Sequence, residues 1–320
     1  MLPRPRAFRH SVSRRPLVAV VGPTAAGKSN LGMRIARSCN GEIINADPQQ
    51  FNRGMDIGTA KPSRDERALV QHHLLDIADP HERIGLALFQ RRALRALEET
   101  WDRGKLPILV GGSGQYVWGL LEGWTVPEVP PDLDLRAGLE ARAAAEGTAA
   151  IHAELVDVDP EAAARIHVND LRRIVRALEV FKRTGRPISS CQLRKPLDAD
   201  VLVIGVDVAL AELDSRISMR TDLMLRSGLI QETLRLLDAG YTRDLPALRA
   251  IGYREAAAFV EGELTLTEAQ SLIERETRRL ARRQKAWFKP ADPRVNWLTP
   301  DAHDEAVSLV VGRLGIRLPV

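Results

Sequence analysis

Residues 17–21, Leu-Val-Ala-Val-Val, form an unbroken apolar run that stops at Gly22. That is the pattern of a strand buried on both faces of a parallel sheet. The helix that follows begins near Lys28 and runs through SNLGMRIARS (29–38). GEIINAD (41–47) reads as a second strand ending on an acid, and KLPILVGG (105–112) as another buried strand. Between them, RIGLALFQRRALRALEETWDRG (83–104) has helical periodicity and a glycine stop. Strand, loop, helix, strand, helix, strand predicts an α/β fold with a parallel sheet and flanking helices.

The pattern changes at the proline-rich TVPEVPPD (125–132). From there to about Pro196 only helical periodicity is present, in LRAGLEARAAAEG, PEAAARI and DLRRIVRALEVFKRTG. The last of these has Asn169 or Asp170 as cap, a Leu171/Ile174/Val175/Leu178 stripe, and Gly185 before Pro187 as stop. Strand character returns at VLVIGVD (201–207), and 210–290 is again mostly helical. The expected organisation is an all-helical insert over 125–199 within a discontinuous α/β core over 17–124 and 200–320, after a basic tail over 1–16.

No apolar run approaches the ~18 residues of a membrane helix, and no membrane partner is expected. The two cysteines, Cys39 and Cys191, have neither metal-ligand nor redox spacing, which fits a reducing cytoplasm. The formal net charge of +4 is unevenly spread: no acid precedes Glu42, while Arg4, Arg6, Arg9, Arg14 and Arg15 crowd the start. Such a tail resembles an organelle transit peptide, a segment that touches nucleic acid, or an unstructured start with no task. His72 and His73 are adjacent, so a strand points them to opposite sides and they form no metal pair.

The first chemistry-bearing motif follows the first strand. Gly22, Pro23, Thr24, Ala25, Ala26, Gly27, Lys28 and Ser29 have the spacing of a P-loop, lying between a strand and a helix as that mechanism requires. Glycines let the backbone N–H groups turn toward phosphate oxygens, the helix adds its positive end, Lys28 adds a charge, and the Ser29 hydroxyl suits Mg2+. Proteins that split nucleotides end a neighbouring strand with an Asp that helps hold the metal. Here PILV (107–110) runs into Gly111, Gly112, Ser113 and Gly114, while Asp47 and Asp207 end other strands. A diphosphate bound and released as a leaving group is the expectation, so the fold is P-loop NTPase-like without hydrolysis.

Seven of the fifteen residues over 275–289, RETRRLARRQKAWFK, are basic and one is acidic. At 100° per residue Arg275, Arg278, Arg279, Arg282, Arg283, Lys285 and Lys289 share one half of a helix; Leu280, Ala281, Trp287 and Phe288 share the other. A basic face turned out suits a phosphate backbone, and a merely solvated face is the alternative. Arg172, Arg173 and Arg176 make a second cluster.

Taken in order, GPTAAGKS (22–29), GMDIGTAKP (54–62), HHLLDI (72–77), LVGGSGQY (109–116), NDLRRIVRALEV (169–180), IGYRE (251–255) and ARRQKAWF (281–288) resemble the tRNA dimethylallyltransferases (isopentenyltransferases) over about residues 17–300. The resemblance implies Mg2+-dependent transfer of a dimethylallyl group from dimethylallyl diphosphate to N6 of the adenosine just 3′ of a tRNA anticodon; a monomer is expected, since one chain would surround its polymer substrate. It makes Asp47 the general base, with Ser113 and Arg220 beside the reacting groups. It assigns Asp47, Pro48, Gln49, Gln50, Ser113, Arg136, Arg172, Arg173, Ile174, Val175, Arg176, Arg249, Gly252, Tyr253, Arg254, Arg279, Arg282 and Arg283 to tRNA. Pro48, Asn52 and Ser113 depart from the family pattern, which usually has Ser, Tyr and Thr there. From position alone, Asp47 reads first as a turn-capping acid and Arg220 as a solvated helix residue, while Ser113 reads equally as a loop residue. A small-molecule kinase, a nucleotide-gated RNA-binding protein and an enzyme prenylating free AMP are the competing functions.

Overall fold

Among the described residues, six strands form one sheet: β1 (Arg15–Val21), β2 (Gly41–Asn45), β3 (His72–His73), β4 (Leu106–Gly111), β5 (Ala199–Val206) and β6 (Val295–Leu298). They lie in the order β3-β2-β4-β1-β5-β6, and every neighbouring pair is parallel. This computed structural model describes residues 15–191, 193–316 and 318. The described chain divides into two compact units, one made of the residues up to Leu120 with those from Asp198 onward, the other of Leu121–Leu197.

In the first unit, α1 (Lys28–Ser38), α2 (Arg64–Leu69), α3 (Leu86–Asp102) and α4 (Gly114–Leu121) alternate with the first four strands. Leu17 to Val21 are all fully buried, as a central strand with helices on both faces demands. Val18 and Val20 join Leu31 and Ile35 of α1 in one core cluster, with Leu202 and Ile204 of β5. The tail expected over 1–16 is too long by two residues: Arg15 and Pro16 begin β1, paired with Ala199 and Asp200. Arg15 also lies over the Trp101 ring, 5.3 Å from its centroid. Arg4, Arg6, Arg9 and Arg14 lie outside the described residues.

The second unit holds α5 (Leu133–Glu146), α6 (Thr148–Val158), α7 (Pro160–Arg165), α8 (Leu171–Thr184) and α9 (Ile188–Cys191). α8 is capped as its sequence predicts: the Asp170 side chain accepts from the Arg173 N–H, and Gly185 closes the helix in the left-handed region at φ 68°. Its Ile174, Val175 and Leu178 join Leu139, Ile151 and Leu155 in this unit's own core. After β5 come α10 (Leu210–Arg226), α11 (Leu229–Asp238), α12 (Tyr253–Val260) and α13 (Leu266–Trp287), then β6 and α14 (His303–Leu314). Sequence periodicity did not announce α2, β6 or α14; the first two are six and four residues long, too short for a clear period.

A single buried acid organises the second unit. Glu179 of α8 is fully buried and accepts from Arg136 Nη2 at 2.7 Å, Arg176 Nη1 at 2.6 Å and the Asp132 N–H at 2.8 Å. Arg176 also donates to the carbonyls of Val129 and Pro127, tying the proline-rich stretch to α8. Burial alone would raise the Glu179 carboxyl, but these donors hold it at about 2.

A Glu179→Ala variant strands two guanidinium groups, so urea unfolding should show a loss of about 3–5 kcal/mol. Because the folded carboxyl titrates below its ordinary 4.5, its contribution is complete above that pH and fades as pH falls toward 2. Acid titration of wild type should show that decline, and the variant should lack it.

Candidate active site

The phosphate loop, Asp47, Ser113 and Asp207 follow the carboxyl ends of β1, β2, β4 and β5, and the chain leaves β1 toward β2 on one side and β4 toward β5 on the other. In open α/β sheets that switch point is where ligands bind. Residues 22–27 form the loop between β1 and α1. Gly22 and Gly27 have φ of 141° and 100°, and a Cβ on Gly22 would lie 3.0 Å from the Val206 carbonyl oxygen. α1 begins without a side-chain cap or an acid in its first turn, so its leading N–H groups and dipole are open to an anion. Lys28 Nζ donates to the Pro23 carbonyl at 2.6 Å across the loop. Ser29 is exposed, at the loop's rim.

Asp47 follows β2 and caps a short 3₁₀ helix, Pro48–Phe51, by accepting from the Gln49 N–H at 3.0 Å with Oδ1. Asn45 braces the same turn, its Oδ1 accepting from the Asp47 N–H at 3.0 Å. Burial raises the Asp47 carboxyl, opposed by the Gln49 N–H and by the charges of Lys28 and Arg220. Burial likewise lowers Lys28, to about 8, with Asp47 opposing and Arg220 adding to the shift. Arg220 of α10 is lowered by burial and sustained by Asp47, and its Nη2 donates to the Thr24 hydroxyl at 2.8 Å. Tyr116 on α4 is pushed up to about 12 by burial and by Asp47. Asp47, Lys28 and Arg220, assigned to three different parts of the chain, thus share one electrostatic neighbourhood.

Ser113 opens α4, its carbonyl accepting from the N–H groups of Tyr116 and Val117 at 3.0 Å. Its half-exposed side chain stands beside Gly112 and Gly114, where β4 meets the phosphate loop. Asp207, just after β5, is largely exposed and 3.7 Å from Lys285. Gln50 donates to the carbonyls of Thr59 and Ala60 at 3.1 Å, fixing its turn to the MDIGTAKP loop. That loop is held in turn by buried Glu232, which accepts from the N–H groups of Asp56, Ile57 and Gly58 and from the Tyr253 hydroxyl.

Helix α13 differs from the expected two-sided pattern. Its buried line is Ala269, Ile273, Thr277 and Ala281, followed by Phe288. Trp287, expected among the packed residues, is 43% exposed, with only part of its ring laid against Gly114, where a Cβ would be 2.3 Å from its Cγ. Lys285, expected on the outer face, is half-buried and donates to the Val208 carbonyl at 2.9 Å. Arg278 is turned inward as well, toward Ser218, Glu274 and Asp214. Gln284 was not singled out by its sequence context, yet its Oε1 accepts the Thr24 N–H at 2.7 Å. A polar residue in a basic helix gives no periodic signal of such a contact.

Three residues assigned to tRNA are core residues. Ile174 is fully buried and Val175 is 3% exposed, packed in the helical unit, and Tyr253 is fully buried against Glu232. None has a side chain available to a polymer. Gly252 is buried at the cap of α12. Arg136 and Arg176 are engaged by Glu179, and Arg254 pairs with Glu255 while remaining exposed. Arg172, Arg249, Arg282 and Arg283 are exposed, as are Arg173 beside Asp170 and Arg279 beside Glu276.

No cluster of metal-ligating side chains occurs among the described residues, and no described helix is long and apolar enough to cross a membrane. A family model described as IPP transferase matches residues 50–291. The chain is 47% identical to the tRNA dimethylallyltransferase of Roseiflexus sp. (strain RS-1), across 90% of this chain and 94% of that protein. Among solved structures, it resembles the tRNA isopentenylpyrophosphate transferase of Bacillus halodurans at 38% identity and TM-score 0.69, covering 95% and 97% of the two chains. A eukaryotic dimethylallyltransferase acting on tRNA aligns at 26% identity and TM-score 0.79, covering 93% of this chain and 78% of that one.

Lys28 supplies its charge to an anion only when protonated. With its amine held at about 8, affinity for inorganic diphosphate should be greatest below that pH and fall by up to about tenfold per unit above it. Calorimetric titration across pH 7–10 checks this, and Lys28→Gln should abolish the excess slope.

Proposed function

The chain belongs to the IPP transferase family of tRNA dimethylallyltransferases, enzymes that move a dimethylallyl group onto a tRNA adenosine, and on that premise we propose how its residues carry out the transfer. The donor is dimethylallyl diphosphate, and the acceptor is the N6 amine of the adenosine just 3′ of the anticodon. The observation that carries this reading is the meeting of Lys28, Arg220 and Asp47 at the strand ends, with a glycine-rich turn where β4 would otherwise present a metal-binding acid.

The donor's diphosphate lies on the phosphate loop, against the α1 N-terminus, with Lys28 and Arg220 countering its charge. The C1–O bond to the diphosphate breaks as the C1–N6 bond forms, and the leaving group departs with the bonding electron pair. Charge therefore grows on oxygens that already face two cations, which lowers the barrier where it matters. The amine proton passes to Asp47, whose Oδ1 is occupied by the Gln49 N–H and whose Oδ2 is the accepting atom. Burial favours this step, since a carboxylate with a raised pKa is a better base. Ser113 orients the amine with its hydroxyl. The exposed Ser29 hydroxyl would help hold Mg2+, and when bound the ion would offset further negative charge on the leaving group.

The tRNA is held by the exposed cations Arg172 and Arg173 on α8 and by Arg249, Arg254, Arg279, Arg282 and Arg283 on the core unit. The target base leaves its stack to reach Asp47, as bases modified inside a folded RNA must. We read the protein as a monomer, since one chain supplies every group named, and as cytoplasmic, since its two widely spaced cysteines suit a reducing compartment.

Incubation with unmodified tRNA and labelled dimethylallyl diphosphate should place label in the tRNA; consumption of ATP or formation of prenyl-AMP instead would overturn the reading. Asp47→Ala should cut turnover by about 10²–10⁴-fold with tRNA affinity near wild type. Neutralising Arg279, Arg282 and Arg283 together should weaken tRNA binding and reduce the slope of log K against log salt by about 2.

A further inference from the structure

Thr24, in the middle of the phosphate loop, is gripped from two helices. Its N–H donates to Gln284 Oε1 of α13 at 2.7 Å, and its hydroxyl accepts from Arg220 Nη2 of α10 at 2.8 Å. The next residue, Ala25, has φ of 63°, a left-handed conformation that costs a residue with a Cβ about 1–2 kcal/mol. Such a conformation persists only where the surroundings fix the chain. The Gln284 amide supplies that fixture from a tight place: a Cβ on Gly112 would lie 2.6 Å from Gln284 Nε2 and 3.0 Å from the Gly22 carbonyl oxygen. The amide is thus wedged where the ends of β1 and β4 approach, with room for no side chain at residue 112.

The two limbs of the loop have different tasks. The limb at Gly27–Ser29 opens the N–H groups of the first turn of α1 toward an anion. The limb at Thr24 does not offer its N–H to the anion, because that N–H is already committed to Gln284. Letting go of Thr24 would free the strained Ala25 to relax and would carry the Arg220 guanidinium with it. Lys28 would be affected too, since its amine rests on the Pro23 carbonyl, one residue before Thr24.

We propose that Gln284 is a positioning residue for the diphosphate: by accepting the Thr24 N–H it fixes the loop so that Lys28, Arg220 and the first turn of α1 converge on one anion. This rests on the reading of the loop as a diphosphate holder. Gln284 sits directly after Arg282 and Arg283, which are exposed on the same helix. One helix therefore offers cations to the outside and, one residue on, an amide to the loop, and the two roles are separable by mutation.

The test is calorimetric binding of inorganic diphosphate with Mg2+ to the full chain. Gln284→Met, similar in size but with no strong acceptor, should weaken diphosphate binding about tenfold, the worth of one well-placed hydrogen bond. Its tRNA affinity and melting temperature should stay at wild-type values. Gly112→Ala, which leaves Gln284 in place but drives its amide from Thr24, should cause a similar loss, and the double variant should be no worse than either single one. Wild-type diphosphate affinity in Gln284→Met overturns the proposal. So does a fully additive double variant, or a loss of tRNA binding and melting temperature in step with diphosphate. If wild type itself binds no diphosphate, the underlying reading of the loop fails, and the proposal with it.

Discussion

Two cations facing one carboxylate in a half-buried crevice are the constraint around which the site is arranged. Lys28 and Arg220 each lose favourable hydration there, the charge of Arg220 lowers Lys28 further, and Asp47 opposes the shift of both. Partial burial strengthens every interaction among them relative to water. A polyanion relieves this imbalance more than a neutral or singly charged ligand does. Asp47 cannot neutralise both cations, and its own carboxyl is raised by the same burial. The arrangement therefore favours a ligand that brings several negative charges at once, while keeping one carboxylate close enough to receive a proton.

The sheet makes this closeness possible. Parallel strands deliver their carboxyl ends to a common edge, and glycines let the ends approach. A Cβ on Gly111 would lie 2.7 Å from the Ala46 carbonyl oxygen, so β4 ends against the residue just before Asp47. Gly22 is similarly pressed toward Val206 on β5. The helical unit needs no help from this edge to hold itself together, since Glu179, Arg136 and Arg176 tie its first helix and proline-rich entry to α8. Its cations divide accordingly: those on Glu179 are structural, and Arg172 and Arg173 at the start of α8 face outward.

The phosphate loop, the strands around it and the capped α8 were legible because each depends on local chemistry: glycine at positive φ, an apolar run, an Asp at an N-cap. Asp47 was legible as a strand-end acid, and Lys28 by its spacing. What stayed hidden depends on contacts across many residues. Nothing near Gln284 reveals a hydrogen bond to Thr24, 260 residues away. The two-sided reading of α13 failed for a related reason. A surface helix with one packed face follows its period, but α13 touches the phosphate loop through Gln284, Val208 through Lys285 and Gly114 through Trp287. Ile174, Val175 and Tyr253 were grouped with RNA-facing neighbours because a motif names a stretch of chain, whereas burial separates adjacent residues by face.

Pro48 shows how a departure from a family pattern is judged by geometry. By sequence it removes an N–H donor beside the acid that matters most. In the fold it occupies the first position of the 3₁₀ helix that Asp47 caps, where an N–H has no partner within the helix and the fixed proline φ is already suitable. The capping bond goes to the next residue, Gln49, so proline costs Asp47 none of its bracing. It reduces the conformations the unfolded turn can explore and leaves Oδ1 committed to the cap. The other Asp47 oxygen is thereby held in one direction by a turn that needs no ligand to form, which is what the base role proposed for it requires.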